Sequence, residues 1–416
     1  MASRASHGPS LFTRVAILVY EILHWQDARQ PVGWANALSA QHSAQSVGLI
    51  WRAENGSSPP KKFILADDTL TAESAYKLAC EGCGILWQGD FQLARQLLQA
   101  IARRCDRPAK KSRKEAQGKE AEESPTTIFN KHRQAQSQRA RILAKLLIPL
   151  NSNYTIPLKR APDIVDACTE AYGEPTSDSI VSLREIQGII GAHEWRKKGV
   201  LIPELEGRIH PHYGVFSPVR GEYISLVANA SLPDTNLAFD IGTGTGVLAA
   251  VLAKRGVKKI MATDQDPRAL NCARENLERL GYAEQADVIA ADLFPEGKAP
   301  LIVCNPPWVP ARANSPIEYA IFDPESRMLR GFLSGLAGHL AADGEGWLLL
   351  SDFAEHLGLR SRDELLAWVN QAGLRVIERI DVKPNHPKMA DKSDALYQAR
   401  AAEITSLWRL VLSKEE

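Results

Sequence analysis

The chain predicts an α/β protein in which a seven-stranded, mostly parallel sheet follows a mainly helical N-terminal domain. Three observations carry this. From Leu237 onward short apolar runs alternate with helical stretches, which is how strand–helix–strand units cover both faces of a parallel sheet. The stretch FDIGTGTGV, from Phe239 to Val247, sets three glycines where a strand would turn into a helix. The stretch PLIVCNPPWVP ends an apolar run in a rigid proline loop, and open sheets of this kind hold ligands at the carboxyl ends of their strands.

Composition bounds the rest. With 416 residues, two domains of the usual size are expected. The 50 Lys and Arg nearly cancel the 49 Asp and Glu, so bulk charge points to neither a nucleic acid nor a membrane. Six cysteines in so long a chain suit a reducing interior rather than a disulfide framework, and a cytoplasmic location is the expectation. Cys80 and Cys83 form a CxxC with no second pair or nearby His to complete four zinc ligands, so no metal is expected. The first segment carries Arg4 and Arg14 and no acid before Glu21. That charge pattern suits a transit peptide, but its apolar run is too short and interrupted to span a membrane, and an amphipathic helix over 11–27 is expected.

Residues 1–199 read as a mainly helical domain that binds a substrate or partner. Leu93, Leu97, Leu98 and Ile101 fall on one face of a helix beginning near Asp90. ENGSSPPKK is turn chemistry before a strand at 63–66. Residues 106–127 hold no aromatic and no apolar side chain larger than alanine, which predicts a disordered insertion. Residues 124–162 contain no acid but hold Lys131, Arg133, Arg139, Arg141, Lys145, Lys159 and Arg160. Ile142, Leu143, Leu146 and Leu147 give the same stretch an apolar helix face, leaving the cations as a solvated face or a contact for RNA or an acidic protein. Residues 163–191 read as helices and turns. Residues 200–235 form a connector: a hairpin turning at Glu206 and Gly207, then a helix over 223–230, with Pro218, Arg220 and Glu222 either bordering a cofactor cleft or simply linking the domains.

The second domain, 236–416, offers strands at 237–241, 259–263, 286–290, 301–304, 346–350, 374–380 and 406–412, with helices at 247–255, 267–280 and 328–340. Gly242, Gly244 and Gly246, with Thr243 among them, let a ligand lie against backbone. Their GxGxG spacing departs from the GxGxxG that seats a pyrophosphate, which argues away from NAD. Asp264, about 20 residues on, is placed to take both hydroxyls of a ribose. Asp292 follows the third strand, where it can accept from an adenine amine while the N–H of Leu293 meets a ring nitrogen. Asn305 offers a side-chain carbonyl and Pro306 a backbone carbonyl without a competing N–H, two acceptors for one NH₂ group. Pro307 stiffens the loop and Trp308 supplies a flat wall. The plain alternative is a proline-rich turn.

With those motifs in place, the chain from about His210 to Leu412 resembles a class I S-adenosyl-L-methionine-dependent methyltransferase of the branch that methylates amino and amide nitrogens. It is most similar to release-factor and ribosomal-protein glutamine N5-methyltransferases and to their rRNA-methylating relatives. The resemblance implies a Rossmann-like methyltransferase sheet whose last strand, 406–412, is antiparallel, and S-adenosyl-L-methionine as cofactor. By the same resemblance Asn305, Pro306, Pro307 and Trp308 hold the methyl-accepting nitrogen, with Asn305 also near the cofactor. Asp240, Gly242, Thr243, Gly244 and Gly246 line the methionine part, Asp264 binds ribose, and Asp292 with Leu293 reads adenine. Trp308 stands where the release-factor enzymes carry tyrosine, and the first 200 residues do not resemble their short helical docking domain. The expected reaction is methylation of a glutamine side chain in a translation-related protein. The alternatives are N-methylation of an rRNA base, motivated by the basic segment 131–160, and a catalytically silent module that binds cofactor for stability. The intact Asn305 and glycine loop count against the last.

Overall fold

The computed structural model describes residues 32–33, 48–107, 123–313, 316–385 and 389–413. The helix expected over 11–27 and most of the insertion expected over 106–127 lie outside the described residues. Contacts divide the chain into two compact units, one drawn from Met1–Lys119 and Arg133–His193, the other from Glu120–His132 and Glu194–Glu416.

The N-terminal elements are β1 (Val32–Gly33), β2 (Gly48–Arg52), β3 (Phe63–Ala66), α1 (Ala72–Cys80), β4 (Gly84–Trp87), α2 (Phe91–Cys105), α3 (Pro125–Leu143), β5 (Leu146–Leu150), α4 (Val165–Tyr172), β6 (Ser179–Ser182) and α5 (Leu183–Lys198). Helices make up most of this regular structure, as expected, but they accompany a six-stranded sheet in the order β1-β2-β6-β5-β4-β3 that sequence reading did not foresee. Only β3 was anticipated, at its observed bounds. The others are short apolar runs, and β4, β5 and β6 are buried along their whole length. Such runs carry no period that separates a strand from a helix face. Leu146 and Leu147, expected on the helix face with Ile142 and Leu143, belong instead to β5, because α3 ends at Leu143. Likewise β6 lies within 163–191, read as helices and turns. The helix expected from Asp90 forms: its carboxylate caps α2 by accepting from Gln92 N at 2.8 Å and Leu93 N at 3.3 Å.

The second unit contains β7 (Val200–Ile202), β8 (Gly207–Ile209), α6 (Glu222–Asn229), β9 (Leu237–Ile241), α7 (Val247–Lys254), β10 (Lys259–Asp264), α8 (Pro267–Arg279), β11 (Ala286–Ala290), β12 (Ala299–Cys304), α9 (Arg327–His339), β13 (Leu340–Ser351), α10 (Phe353–His356), α11 (Arg362–Gln371), β14 (Leu374–Val382), α12 (Tyr397–Ala402) and β15 (Thr405–Leu412). β7 and β8 form the expected hairpin. The large sheet runs β11-β10-β9-β12-β13-β15-β14, and β15 alone runs against its neighbours. Alternate residues build two cores. Ala238, Ala262, Leu301, Val303, Trp347 and Leu349 pack with α6 and α7, whereas Phe239, Ile241, Ile302, Cys304, Leu348 and Leu350 pack with α9 and α11. Every residue of α7 from Val247 to Ala253 is buried, as expected of a helix apolar all round. Arg409 of β15 clamps the buried Glu345 of β13 with Nε to Oε2 at 2.7 Å and Nη2 to Oε1 at 2.6 Å, a fork that fixes the antiparallel register.

One N-terminal carboxylate makes the fold sensitive to pH. Glu185 accepts from Tyr172 Oη at 2.6 Å and from Glu54 N at 3.3 Å, yet burial pushes its pKa up to about 7 against those bonds. The folded protein therefore keeps a proton that the unfolded chain has released. Stability contributed by Glu185 falls as pH rises from the ordinary glutamate range to about 7 and is flat above it, a change of order 3 kcal/mol. Thermal unfolding at pH 5 and pH 8 should show Glu185→Gln gaining on wild type at the higher pH; equal pH dependence in the two proteins would refute the assignment.

Candidate active site

Strand register sets the site. β9 lies between β10 and β12, pairing Ile241 with Thr263 on one side and with Cys304 on the other. β10 in turn pairs Asp264 with Ala290 at the end of β11. Four adjacent strands therefore end nearly level, and the glycine loop, Asp264, Asp292 and Asn305 leave from one edge of the sheet, at the carboxyl ends where open sheets bind ligands.

The glycine loop needs its glycines. Gly242, Gly244 and Gly246 all have positive φ, at 72°, 55° and 79°. A Cβ on Gly242 would lie 2.4 Å from Met328 Cε, whereas one on Gly244 would meet nothing within 4 Å, so open space lies over that backbone. Asp240 is 1% exposed and its Oδ2 accepts from Thr243 Oγ1 at 2.7 Å and Ala249 N at 3.1 Å. The structure thus makes Asp240 the anchor beneath the loop, with a carboxylate engaged at the start of α7, rather than an open wall of it. Burial pushes its pKa up to about 6, against the two hydrogen bonds and with the help of Asp264.

Asp264 Oδ2 accepts from Gly244 N at 3.0 Å and Oδ1 from Asp266 N at 3.0 Å. Each oxygen keeps lone-pair capacity for a diol, and burial raises the pKa. Asp292 meets Arg327 Nη2 at 3.2 Å, with both side chains well exposed. Such a pair is worth about 0–1 kcal/mol, so a ligand amine can replace the arginine at little cost. Leu293 has a φ of 75°, uncommon for a branched residue, and its carbonyl accepts from the Thr263 hydroxyl. Its N–H lies beyond the end of β11 and outside the sheet ladder.

The proline loop is braced on several sides. Trp308 Nε1 donates to Asn305 Oδ1 at 2.9 Å, and the Arg220 guanidinium lies 5.4 Å from the centre of the Trp308 ring. Beyond it, Val309 N donates to Ile321 O and Asp323 N to Val309 O. Val309 packs with Phe129, Phe353, Leu357, Leu396 and Ala399. The buried Asp323 accepts from Met328 N and Leu329 N, holding the start of α9 beside the loop. Sequence reading found Arg220 but missed Asp323, Phe129 and Glu403, whose Oε1 accepts from Arg220 Nη2 at 3.1 Å. An Asp-Pro step before an amphipathic run was an available signal for Asp323; Phe129 and Glu403 are joined to the site only through tertiary contacts and had none.

Fold and site together define a doubly wound domain with a ligand cradle and, one strand away, a polar clamp walled by tryptophan. Residues 206–352 match the family model described as methyltransferase small domain. The release factor glutamine methyltransferase of Mycolicibacterium smegmatis is 39% identical over 125 residues, 28% of this chain and 44% of that protein. The ribosomal protein L11 methyltransferase of Vibrio campbellii is 35% identical over 127 residues, 30% of this chain and 38% of that one. The chain thus spans less than half the length of these two relatives. A crystal structure of the ribosomal protein L11 methylase of Lactobacillus delbrueckii subsp. bulgaricus superposes with a TM-score of 0.32 at 16% identity, covering 46% of this chain and 78% of that one. The matched segment, residues 206–352, is thus similar to a methyltransferase domain, and S-adenosylmethionine is the cofactor that the likeness implies. The residues present fit it: the backbone at Gly244 faces open space, and both Asp264 oxygens retain acceptor capacity.

Asp264→Ala should weaken S-adenosylmethionine binding by about 1.5–3 kcal/mol, the scale of hydrogen bonds to a charged group. Titration calorimetry giving an unchanged affinity would reject Asp264 as the ribose ligand.

Proposed function

We propose that this protein transfers a methyl group from S-adenosylmethionine to a planar nitrogen, the side-chain amide of a glutamine in a translation-related protein. The observation that carries the reading is the level ending of β9 and β12, which sets the glycine loop and Asn305 side by side. The relatives named for release-factor and L11 methylation support the choice of acceptor. When bound, the cofactor supplies an electrophilic methyl on a sulfonium whose bonding pair stays with the departing sulfur. Asp264 and Asp292 hold the nucleoside, and Asp240 keeps the glycine loop in shape. Asn305 Oδ1 and the Pro306 carbonyl accept from the substrate NH₂, aim its nitrogen and stabilise the positive charge that develops there. Orientation of this sort is worth up to about 7–11 kcal/mol in favourable cases. A planar nitrogen sheds its proton after transfer, so the step asks for alignment more than for a base.

Methylation of an rRNA base is the second reading, and the basic segment is its motive. Three of that segment's cations are paired locally: Lys131 with Glu123, Arg139 with Asp106 at 2.7 Å, and Arg160 with Asp90 at 2.6 Å. Such pairing weakens their pull on phosphate. Around the clamp, Val219 next to Arg220 and Ile321 across from Val309 are exposed apolar side chains, a better match to a protein surface than to a phosphate backbone. Among the described residues no helix is long and apolar enough to cross a membrane. A translation-related acceptor would be in keeping with a cytoplasmic location.

Asn305→Ala should leave cofactor affinity nearly unchanged and lower turnover about a hundred- to a thousandfold. Wild type and variant are incubated with methyl-labelled cofactor and cell extract, then divided between nuclease and protease. Label that survives nuclease and maps to glutamine supports the first reading; nuclease-sensitive label supports the second; near-normal labelling by the variant removes the role given to Asn305.

A further inference from the structure

We propose that Trp308 is a positioning residue: its indole N–H fixes which way round the Asn305 amide sits, and Arg220, held by Glu403 and Glu222, keeps the indole in place. This rests on reading Asn305 as the group that aims the acceptor nitrogen.

An asparagine amide has nearly the same shape whichever of its two ends points forward, but the ends are chemically opposite, one an acceptor and the other a double donor. Prolines at 306 and 307 stiffen the backbone of the loop and leave χ2 of Asn305 free. The indole nitrogen is a donor only. Its 2.9 Å bond therefore requires Oδ1, not Nδ2, on the Trp308 side. A carbonyl oxygen accepts twice, so one lone pair of Oδ1 is taken by the indole and the other remains for an incoming N–H. With the amide reversed, an NH₂ would face the substrate's own NH₂, donor against donor. A phenylalanine at 308 would supply the same flat wall with no N–H to prevent that reversal.

The indole is itself held. Arg220 lies over the ring at 5.4 Å, with Nε to Glu222 Oε1 at 2.9 Å and Nη2 to Glu403 Oε1 at 3.1 Å. Glu403, 3% exposed, also accepts from Ser351 Oγ at 2.7 Å, and Ser351 accepts from Phe353 N at 3.0 Å. Ser351 ends β13 and Glu403 precedes β15. The orientation of one amide is thus referred back, through an aromatic face and a buried carboxylate, to the two strands beyond β12.

The test uses the full chain with nitrogen-15 in its tryptophan indoles. The Trp308 indole proton should exchange slowly in wild type and at least tenfold faster in Asn305→Ala. Trp308→Phe should bind S-adenosylmethionine within twofold of wild type, as read by calorimetry, while its maximal rate of label transfer into nuclease-treated extract falls tenfold or more. Arg220→Ala should lose rate in the same pattern, and Arg220→Lys should recover most of it, which a general loss of folding would not reproduce. An indole proton that exchanges equally fast with and without Asn305 overturns the pairing whatever the activity. A Trp308→Phe rate within twofold of wild type, or a loss that lies wholly in cofactor affinity, overturns the positioning role. Wild type that labels no acceptor while its indole is protected would remove the methyl-transfer reading, and with it the catalytic meaning of the pair, while the Trp308–Asn305 bond itself would stand.

Discussion

Everything at the candidate site depends on the register in which β9 is held between β10 and β12. Because side chains alternate along a strand, a slip of one residue would turn each to the opposite face. Asp240 stands beside Ala262 and Val303, on the face that α7 covers, and from there it reaches the N–H of Ala249. Slipped by one, Phe239 would be driven against α7 and the carboxylate into the apolar packing around α9. The same register brings Ile241 level with Cys304, so the glycine loop and the proline loop start from neighbouring strand ends. Their proximity follows from hydrogen-bond pairing inside the sheet and needs no further device.

Two carboxylates under one glycine loop would be costly if left alone. Asp240 spends its Oδ2 on the Thr243 hydroxyl and the first turn of α7, and Asp264 takes the N–H of Gly244 and of Asp266. Burial nonetheless raises both, with the charge of Asp264 adding to the rise at Asp240 and that of Asp266 to the rise at Asp264. GxGxG therefore differs from the pyrophosphate-binding pattern in more than spacing: the N–H of Gly244 is taken by the carboxylate of Asp264 and is not open to an anion.

The second domain was legible and the first largely was not, for physical reasons. In the second, strands were separated by helices long enough to show a 3.6-residue period, and glycines and prolines punctuated the ends, so β9 and β11 were read at their observed bounds. In the first, β4, β5 and β6 are buried along their whole length, and a run such as Leu146 to Leu150 carries no alternation by which to know it. At the site, residues that leave the ends of strands could be found from local pattern. Phe129 could not, because its place beside Val309 and Leu357 is made by segments far apart in the chain. The bond between Trp308 and Asn305 is intermediate: the spacing of three was visible, but only the rotamers show that the indole spends one of the lone pairs assigned to the substrate.

That last point changes what rigidity means for the acceptor loop. Two prolines restrict backbone torsions over residues 306 and 307, and the tetrapeptide looks self-sufficient on that ground. Yet the proposed chemistry lies in a side-chain amide that no proline controls, on the residue before them. Its orientation comes from an indole, the indole's position from Arg220, and the arginine's from Glu222 before α6 is complete and Glu403 just ahead of β15. The apolar backing comes from still other places, with Phe129 from α3, Phe353 from α10 and Ala399 from α12. A loop of four residues is thus specified by segments spread over most of the chain, none of which the motif itself reveals.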